Sequence, residues 1–212
     1  MVKPNSSQGT PPDNKQIYQG LFYFMDEVLY EYKPLKKETE EDKITQDVEL
    51  FLNEKTRVVD TCFCFQNQRK VGVYRTDIAV CLRSNYECFC WIEAKRLPTP
   101  LKNNDRDERE YVIVDKQRFK GNGGIQRFKE GKHAPNLPYS IMIGYIQDNN
   151  NADYWLQKIN TWIMEMVNIN KELWSKDEYL KKYYPNKCDR FLSTHKREDK
   201  TTIILHHYWI RS

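Results

Sequence analysis

Two stretches restrict the fold more than anything else in the sequence. They are Arg75-Thr76-Asp77-Ile78-Ala79-Val80 and, after a short turn, Cys88-Phe89-Cys90-Trp91-Ile92-Glu93-Ala94-Lys95-Arg96. Both read as strands of one hairpin, yet each carries charged groups where a plain core strand would carry more Val or Ile. Side chains alternate faces along a strand, so Glu93 and Lys95 point the same way, and hairpin pairing brings Asp77 beside them across the ladder. Two carboxylates and an amine then converge on a half-buried sheet. Burying them without a ligand or partner costs several kcal/mol, on the order of the net stability of a small domain. Packing alone gives no reason for that choice.

The flanking chain supplies a scaffold for such a hairpin. Residues 1–14, with Pro4, Gly9, Pro11 and Pro12, read as a flexible tail, and residues 15–212 as a single domain. Ile17, Leu21, Phe24, Met25 and Val28 recur at helical spacing from Lys15 to about Tyr32, before Pro34. A charged connector follows, then a helix from about Glu40 to Glu54 with Thr39 as N-cap and Ile44, Val48, Phe51 and Leu52 as its apolar stripe. At about 100° per residue, Glu41 projects close to the centre of that stripe. It is either a first-turn acid favoured by the helix dipole or an acid reaching the charged site. Val58 to Gln66, Gly72 to Leu82 and the stretch ending at Lys95 form an antiparallel meander. Past Pro98 a charged loop cannot be core, and Tyr111-Val-Ile-Val114 is either a short strand or a helix start. Gly121-Asn-Gly-Gly124 opens a helix through Lys129 whose first amides would suit a phosphate or carboxylate. Ser140 to Ile146 is a fourth strand, covered on both faces. A helix from Ala152 to about Asn168, with Trp155, Ile159, Trp162, Ile163 and Met166 on one side, a helix around Lys171 to Lys182 and a strand from Thr201 to Ile210 complete the chain. The whole is an α/β sandwich with a mixed central sheet.

Composition narrows the function classes. With 39% hydrophobic, 30% charged and 13% aromatic residues, the chain reads as a folded soluble domain rather than a disordered one. Its six cysteines fall mostly in apolar strand-like runs at C-x-C spacing, which points neighbouring sulfurs in parallel instead of folding them onto zinc, so they read as small buried hydrophobes. A basic-then-apolar leader and any run near ~18 apolar residues are both missing from the sequence, so the expectation is a cytoplasmic protein with reduced thiols and no membrane partner.

Hydrolysis of a phosphodiester needs a nucleophilic water, charge neutralisation on the phosphate and stabilisation of the leaving alkoxide. Mg²⁺ held by two or three carboxylates on rigid strands supplies most of this, and Asp77 and Glu93 suit that role. Lys95 beside them can orient or deprotonate the water. The tripeptide acid-x-Lys also occurs at Asp13, Glu31, Glu41, Glu130 and Glu198, but only Glu93-Ala-Lys95 closes an apolar strand preceded by another strand with an embedded acid.

Thr76-Asp77 followed by Glu93-Ala-Lys95, with helix and strands before and helix and strand after, resembles the PD-(D/E)XK nuclease superfamily over about residues 39–147. The resemblance implies a restriction-endonuclease-like αβββαβ core, with N- and C-terminal helical additions here, and Mg²⁺-dependent cleavage of DNA, with Mn²⁺ a possible substitute. It implies Asp77 and Glu93 as metal ligands and Lys95 as the water-activating group. Some members add an acid from the first core helix, which maps to Glu41 as a further catalytic and metal-binding residue, and others a Gln on the helix after the lysine, where Gln126 stands. Thr76 replaces the Pro of the superfamily's name. Glu93-Ala-Lys-Arg-Leu-Pro98, Gly123-Gly-Ile-Gln-Arg-Phe-Lys129 and Met142-Ile-Gly-Tyr145 are similar to a group of uncharacterised bacterial proteins of this superfamily.

From Arg96 to Lys132 the sequence holds ten Lys/Arg against six acids, an excess equal to the whole chain's net charge of +4. This is either an ordinary charged loop or a positive approach for a phosphate backbone, with Arg96, Arg109, Arg118, Lys120, Arg127 and Lys129 as contacts. His195, His206 and His207 read as structural or as added phosphate contacts. Three hypotheses stand: a DNA endonuclease serving restriction or phage defence, with RNA as another possible substrate; a catalytically weak or inactive nuclease-like module that binds nucleic acid; and an interaction protein whose charged trio is an internal ion pair. A homodimer through the Trp155/Trp162 helix or the C-terminal segment is compatible with each.

Overall fold

The computed structural model describes residues 14–34, 40–71, 74–99, 108–113, 123–183 and 187–212. The expected N-terminal tail, the Thr39 cap, Arg118 and Lys120 lie outside the described residues. The fold is α/β, a seven-stranded mixed sheet between two layers of helices.

α1 (Asn14–Val28) and α2 (Glu41–Val58) cover one face. β1 (Phe63–Asn67), β4 (Ile78–Leu82) and β5 (Cys88–Leu97) are antiparallel neighbours, with a two-strand ribbon, β2 (Lys70–Val71) and β3 (Tyr74–Arg75), inserted between β1 and β4. α3 (Gly124–Lys129) leads into β6 (Tyr139–Ile146), which lies parallel to β5. α4 (Ala152–Ile169), capped by the Asn151 side chain, crosses the second face. A single 3₁₀ turn, Lys176–Glu178, precedes β7 (Lys181–Lys182), β8 (Asp189–Lys196) and β9 (Thr202–Arg211), and β9 runs parallel to β6. The sheet order is β1-β4-β5-β6-β9-β8-β7.

Period-two alternation divides β5 between two cores. Cys90, Ile92 and Ala94 join Leu21, Met25, Val48 and Leu52 beneath α1 and α2, whereas Trp91 and Leu97 join Ile125, Phe128, Trp155 and Ile163 on the opposite face. Glu93 and Lys95 occupy the second face between Trp91 and Leu97, so two charges sit where the alternation calls for apolar groups.

Several expectations are corrected. α2 runs on through Val58, so the first strand begins at Phe63 instead of Val58. Tyr111 to Ile113 form a turn whose side chains are fully buried. The C-terminal addition is a β-hairpin after one helix, and the helix expected around 171–182 is the 3₁₀ turn plus an edge strand. The first amides of α3 are taken: Gly124, Ile125 and Gln126 donate to the carbonyls of Glu110, Tyr111 and Val112 at 2.9, 3.1 and 3.0 Å, leaving none for an anion. The Trp155/Trp162 face of α4 is core, and β9 is an interior strand. All six cysteines are free thiols, and among the described residues no helix is long and apolar enough to cross a membrane.

Candidate functional site

Thr76 sets the position of Asp77. Its buried hydroxyl lies 3.0 Å from the Ile78 carbonyl and 3.1 Å from that of Ile92, pinning the start of β4 to β5. Ile78 pairs with Ile92, so Asp77, one residue earlier, comes level with Glu93. Asp77 Oδ2 accepts the Ala94 amide at 2.8 Å. Burial, then the neighbouring Glu93 charge, push the Asp77 carboxyl up to about 7, with Lys95 and the Ala94 amide opposing them.

Glu93 has no exposed surface, and its Oε1 lies 2.9 Å from Lys95 Nζ and 2.8 Å from Arg127 Nη1. Burial would raise its pKa, but Lys95, His133 and Arg127 together hold it well below the ordinary carboxylate range. Oε2 lies 3.1 Å from His133 Nδ1. Neither atom makes a hydrogen bond of good geometry among the described residues.

Lys95 reaches three acceptors: Glu93, the Ala94 carbonyl at 2.7 Å and Glu41 Oε1 at 3.3 Å. Burial would depress the ammonium, yet Glu93, Glu41 and Asp77 outweigh it and raise its pKa. Lys95 therefore holds its proton and serves as a cation and donor. Glu41, from the first turn of α2, also accepts the Arg96 amide at 3.3 Å. Its inward projection thus brings it to the charged cluster.

The other residues named from the sequence divide. Gln126 is buried one position before Arg127, but its amide donates to Glu130 at 2.6 Å, and no hydrogen bond to Asp77, Glu93 or Lys95 is present among the described residues. Arg96 lies against Glu41, Arg109 pairs with Glu165 at 3.4 Å, and Arg127 turns inward to Glu93. Lys129 is removed from any polyanion surface: it is fully buried, with Nζ 2.6 Å from Glu178 Oε1 and 4.7 Å from the Trp174 ring centre. His195 and His207 lie in the same interior network, both accepting from or donating to Ser193 Oγ at 2.7 Å, and His206 stacks on Phe22. All three rings are buried.

Sequence reasoning missed the Arg127 and His133 contacts to Glu93. Arg127 carried a signal in its place beside Gln126 on the helix after the lysine, but His133 follows a glycine turn in a charged segment and carried none.

Compared with family models, curated proteins and solved structures, the chain matches none.

No group of three His, Cys, Asp or Glu side chains is gathered as a ready cage among the described residues. The donor set still fits a hard divalent cation. Asp77, just before β4, and Glu93 of β5 are neighbouring oxygen donors, the Glu93 charge opposes ionisation of Asp77, and Glu93 Oε2 is a buried oxygen with no hydrogen bond among the described residues beside its 3.1 Å approach to His133.

Proposed function

We propose that the protein is a Mg²⁺-dependent endonuclease that hydrolyses phosphodiester bonds of DNA. The observation that carries this reading is the convergence of Asp77, Glu93 and Lys95 in the interior, where Glu93 Oε2 has only His133, at 3.1 Å, beside it among the described residues. The resemblance to the PD-(D/E)XK superfamily supports it, and so does the chain order of a helix, three antiparallel strands, a helix and a parallel strand.

Asp77 and Glu93 would hold the metal, and Glu41 stands close enough to Lys95 to support them. Mg²⁺ there supplies a Lewis acid for a phosphoryl oxygen and lowers the pKa of a bound water. Lys95, kept protonated by three carboxylates, orients that water and offsets negative charge developing on the phosphate. Arg127, whose side chain is 28% exposed, is the cation on Glu93 best placed to swing to a phosphate oxygen. Six free thiols suit a reducing cytoplasm, where such an enzyme meets DNA.

A second reading is a nuclease-like module that binds nucleic acid without cutting it. It is favoured by the compensation already present, since Lys95 and Arg127 neutralise Glu93 without a metal. Purified protein incubated with plasmid or linear DNA and Mg²⁺ decides between them. Cleavage is expected, and Lys95→Ala should reduce it by ~10³-fold or more while the circular dichroism and melting profile of a folded protein persist. No cutting of DNA or RNA with Mg²⁺ or Mn²⁺ by a folded sample rejects the endonuclease. Calorimetric Mn²⁺ binding that Asp77→Asn removes distinguishes a metal site from a closed ion cluster.

A further inference from the structure

On the face of the sheet that carries Glu93, three cysteines from adjacent strands lie in one row. Cys64 of β1 is opposite Cys81 of β4, and a register shift between Val80 and Cys81, a β-bulge, brings Cys81 opposite Cys88 of β5. Directly opposed residues of antiparallel strands have Cα atoms about 4.5–5.5 Å apart, inside the ~4.4–6.8 Å range that a disulfide spans. A guanidinium completes the group: Arg69 Nη1 lies 2.7 Å from Cys81 Sγ and is held by the Gln66 side chain at 3.1 Å and the Tyr86 carbonyl at 2.8 Å. A cation fixed against one sulfur of an opposed pair has no packing purpose that a methyl group would not serve better.

We propose that Cys81 and Cys88 are a peroxide-oxidised dithiol, with Arg69 holding the Cys81 thiolate and the product a reversible cross-strand disulfide. The Cys88 thiol and Arg69 favour the charged form of Cys81 against its burial, while Cys88 keeps its proton. The Cys88 thiol donates to the Cys90 carbonyl, with Sγ 3.5 Å from that oxygen. Cys81 has no exposed surface, so the oxidant arrives past Cys88, which is partly exposed and lines an open cavity of about 220 Å³ with Leu82, Glu87 and Pro138. Hydrogen peroxide is small enough to enter.

The Cys81 thiolate attacks one peroxide oxygen, the O–O bond breaks, and the departing hydroxide takes the Cys88 proton to leave as water. Cys81 is then a sulfenic acid and Cys88 a thiolate. The Cys88 sulfur attacks the Cys81 sulfur, the S–O bond breaks, and the second hydroxide leaves as water with the proton that Cys81 released on ionising. Two thiols have lost two electrons to one peroxide. Cys64 also faces Cys81, but Cys88 is the one that lines the cavity admitting the oxidant, so Cys88 is the partner. The cross-link would staple the hairpin that carries Asp77 at one end and Glu93 beyond the other strand's midpoint. It does not depend on the nuclease reading.

The test is peptide mapping of the full chain after brief exposure to hydrogen peroxide in native buffer. The expected product has lost two hydrogens and holds a dithiothreitol-reversible link between Cys81 and Cys88. Exposed Cys62 is an internal control, because a reaction governed by exposure alone modifies it first. Cys88→Ser should stop at a dimedone-trappable sulfenic acid on Cys81, and Arg69→Gln should slow link formation by about tenfold. Oxidation confined to Cys62, a Cys64–Cys81 link, or an Arg69→Gln rate equal to the parent's each overturns the proposal. Mapping the parent chain alone decides it if either variant fails to fold.

Discussion

His206 is a histidine that the fold keeps neutral. Its ring stacks on Phe22 with centroids 3.4 Å apart, and Nδ1 faces Arg190 Nη2 at 2.6 Å, so that nitrogen accepts and cannot carry a second proton. Burial first, then the Arg190 charge, press its pKa down to about 2. An unfolded histidine titrates near 6.5, so between about 2 and 6.5 the unfolded chain binds a proton that the folded chain does not. This group's contribution is therefore complete above 6.5 and is lost as the pH falls below it, by about 1.4 kcal/mol per pH unit. Asp77 opposes the trend, since a carboxyl raised to about 7 gains stability from acid over much of the same window. The useful measurement is accordingly a difference between proteins. His206→Gln offers an acceptor to Arg190 but no titration. Urea unfolding of the two proteins at pH 6.5 and pH 5 should show the parent losing about 2 kcal/mol more than the variant. Parallel pH curves would mean that the folded His206 takes up the proton after all.

α3 is short, and its place depends on how closely its first residue approaches the preceding turn. A Cβ on Gly123 would stand 2.2 Å from the Cα of Ile113, backbone that cannot move without releasing the α3 amide bonds to residues 110–112. Gly123→Ala should cost about 2 kcal/mol or more in urea unfolding. It should also weaken DNA cleavage, because Arg127 and His133 reach Glu93 from this helix and the turn after it. Gly20→Ala is the matched control, being exposed in α1 with nothing within 4 Å of the added Cβ, and it should be neutral or stabilising by up to about 1 kcal/mol. A Gly123→Ala protein as stable as the Gly20→Ala one rejects the close approach. Elements were legible where one physical signal dominated. The stripes of α1, α2 and α4 gave both the helices and their buried faces, and the charges inside β5 marked the cluster because alternation made them anomalous. Helix geometry turned Glu41 inward but left a dipole-favoured acid and a site acid as alternatives, and the fold sets it 3.3 Å from Lys95. β8 was illegible because its inward positions include Arg190, Ser193 and His195, polar groups that pair with Asp26, His207 and Glu178 across the fold and leave no apolar alternation to read. Lys129 misled for the same reason: its partner Glu178 lies far along the chain, so a buried ion pair looked like part of a basic surface.

At the scale of the molecule, the described edges of the sheet are short, charged or partly covered. On β1, the outward amide and carbonyl of Phe65 are taken by the Asn53 side chain of α2, at 3.0 and 2.9 Å. The opposite edge is β7, two residues long, with exposed Lys181 and Lys182. Short, charged or covered edges prevent strand-to-strand association. The tryptophans of α4 are core, and the large apolar groups left exposed include Tyr23 on α1, Leu50 and Val58 on α2, Tyr86 in a turn and Ile169 at the end of α4. Sedimentation at roughly 10–50 µM, well below the ~mM range where weak contacts associate, should therefore give one species of 25.6 kDa. Trp162→Ala separates a core role from an interface role. As a core residue it should lower the unfolding free energy by about 3–5 kcal/mol and leave the sedimenting mass unchanged. A parent dimer that Trp162→Ala converts to a stable monomer would place α4 at an interface instead.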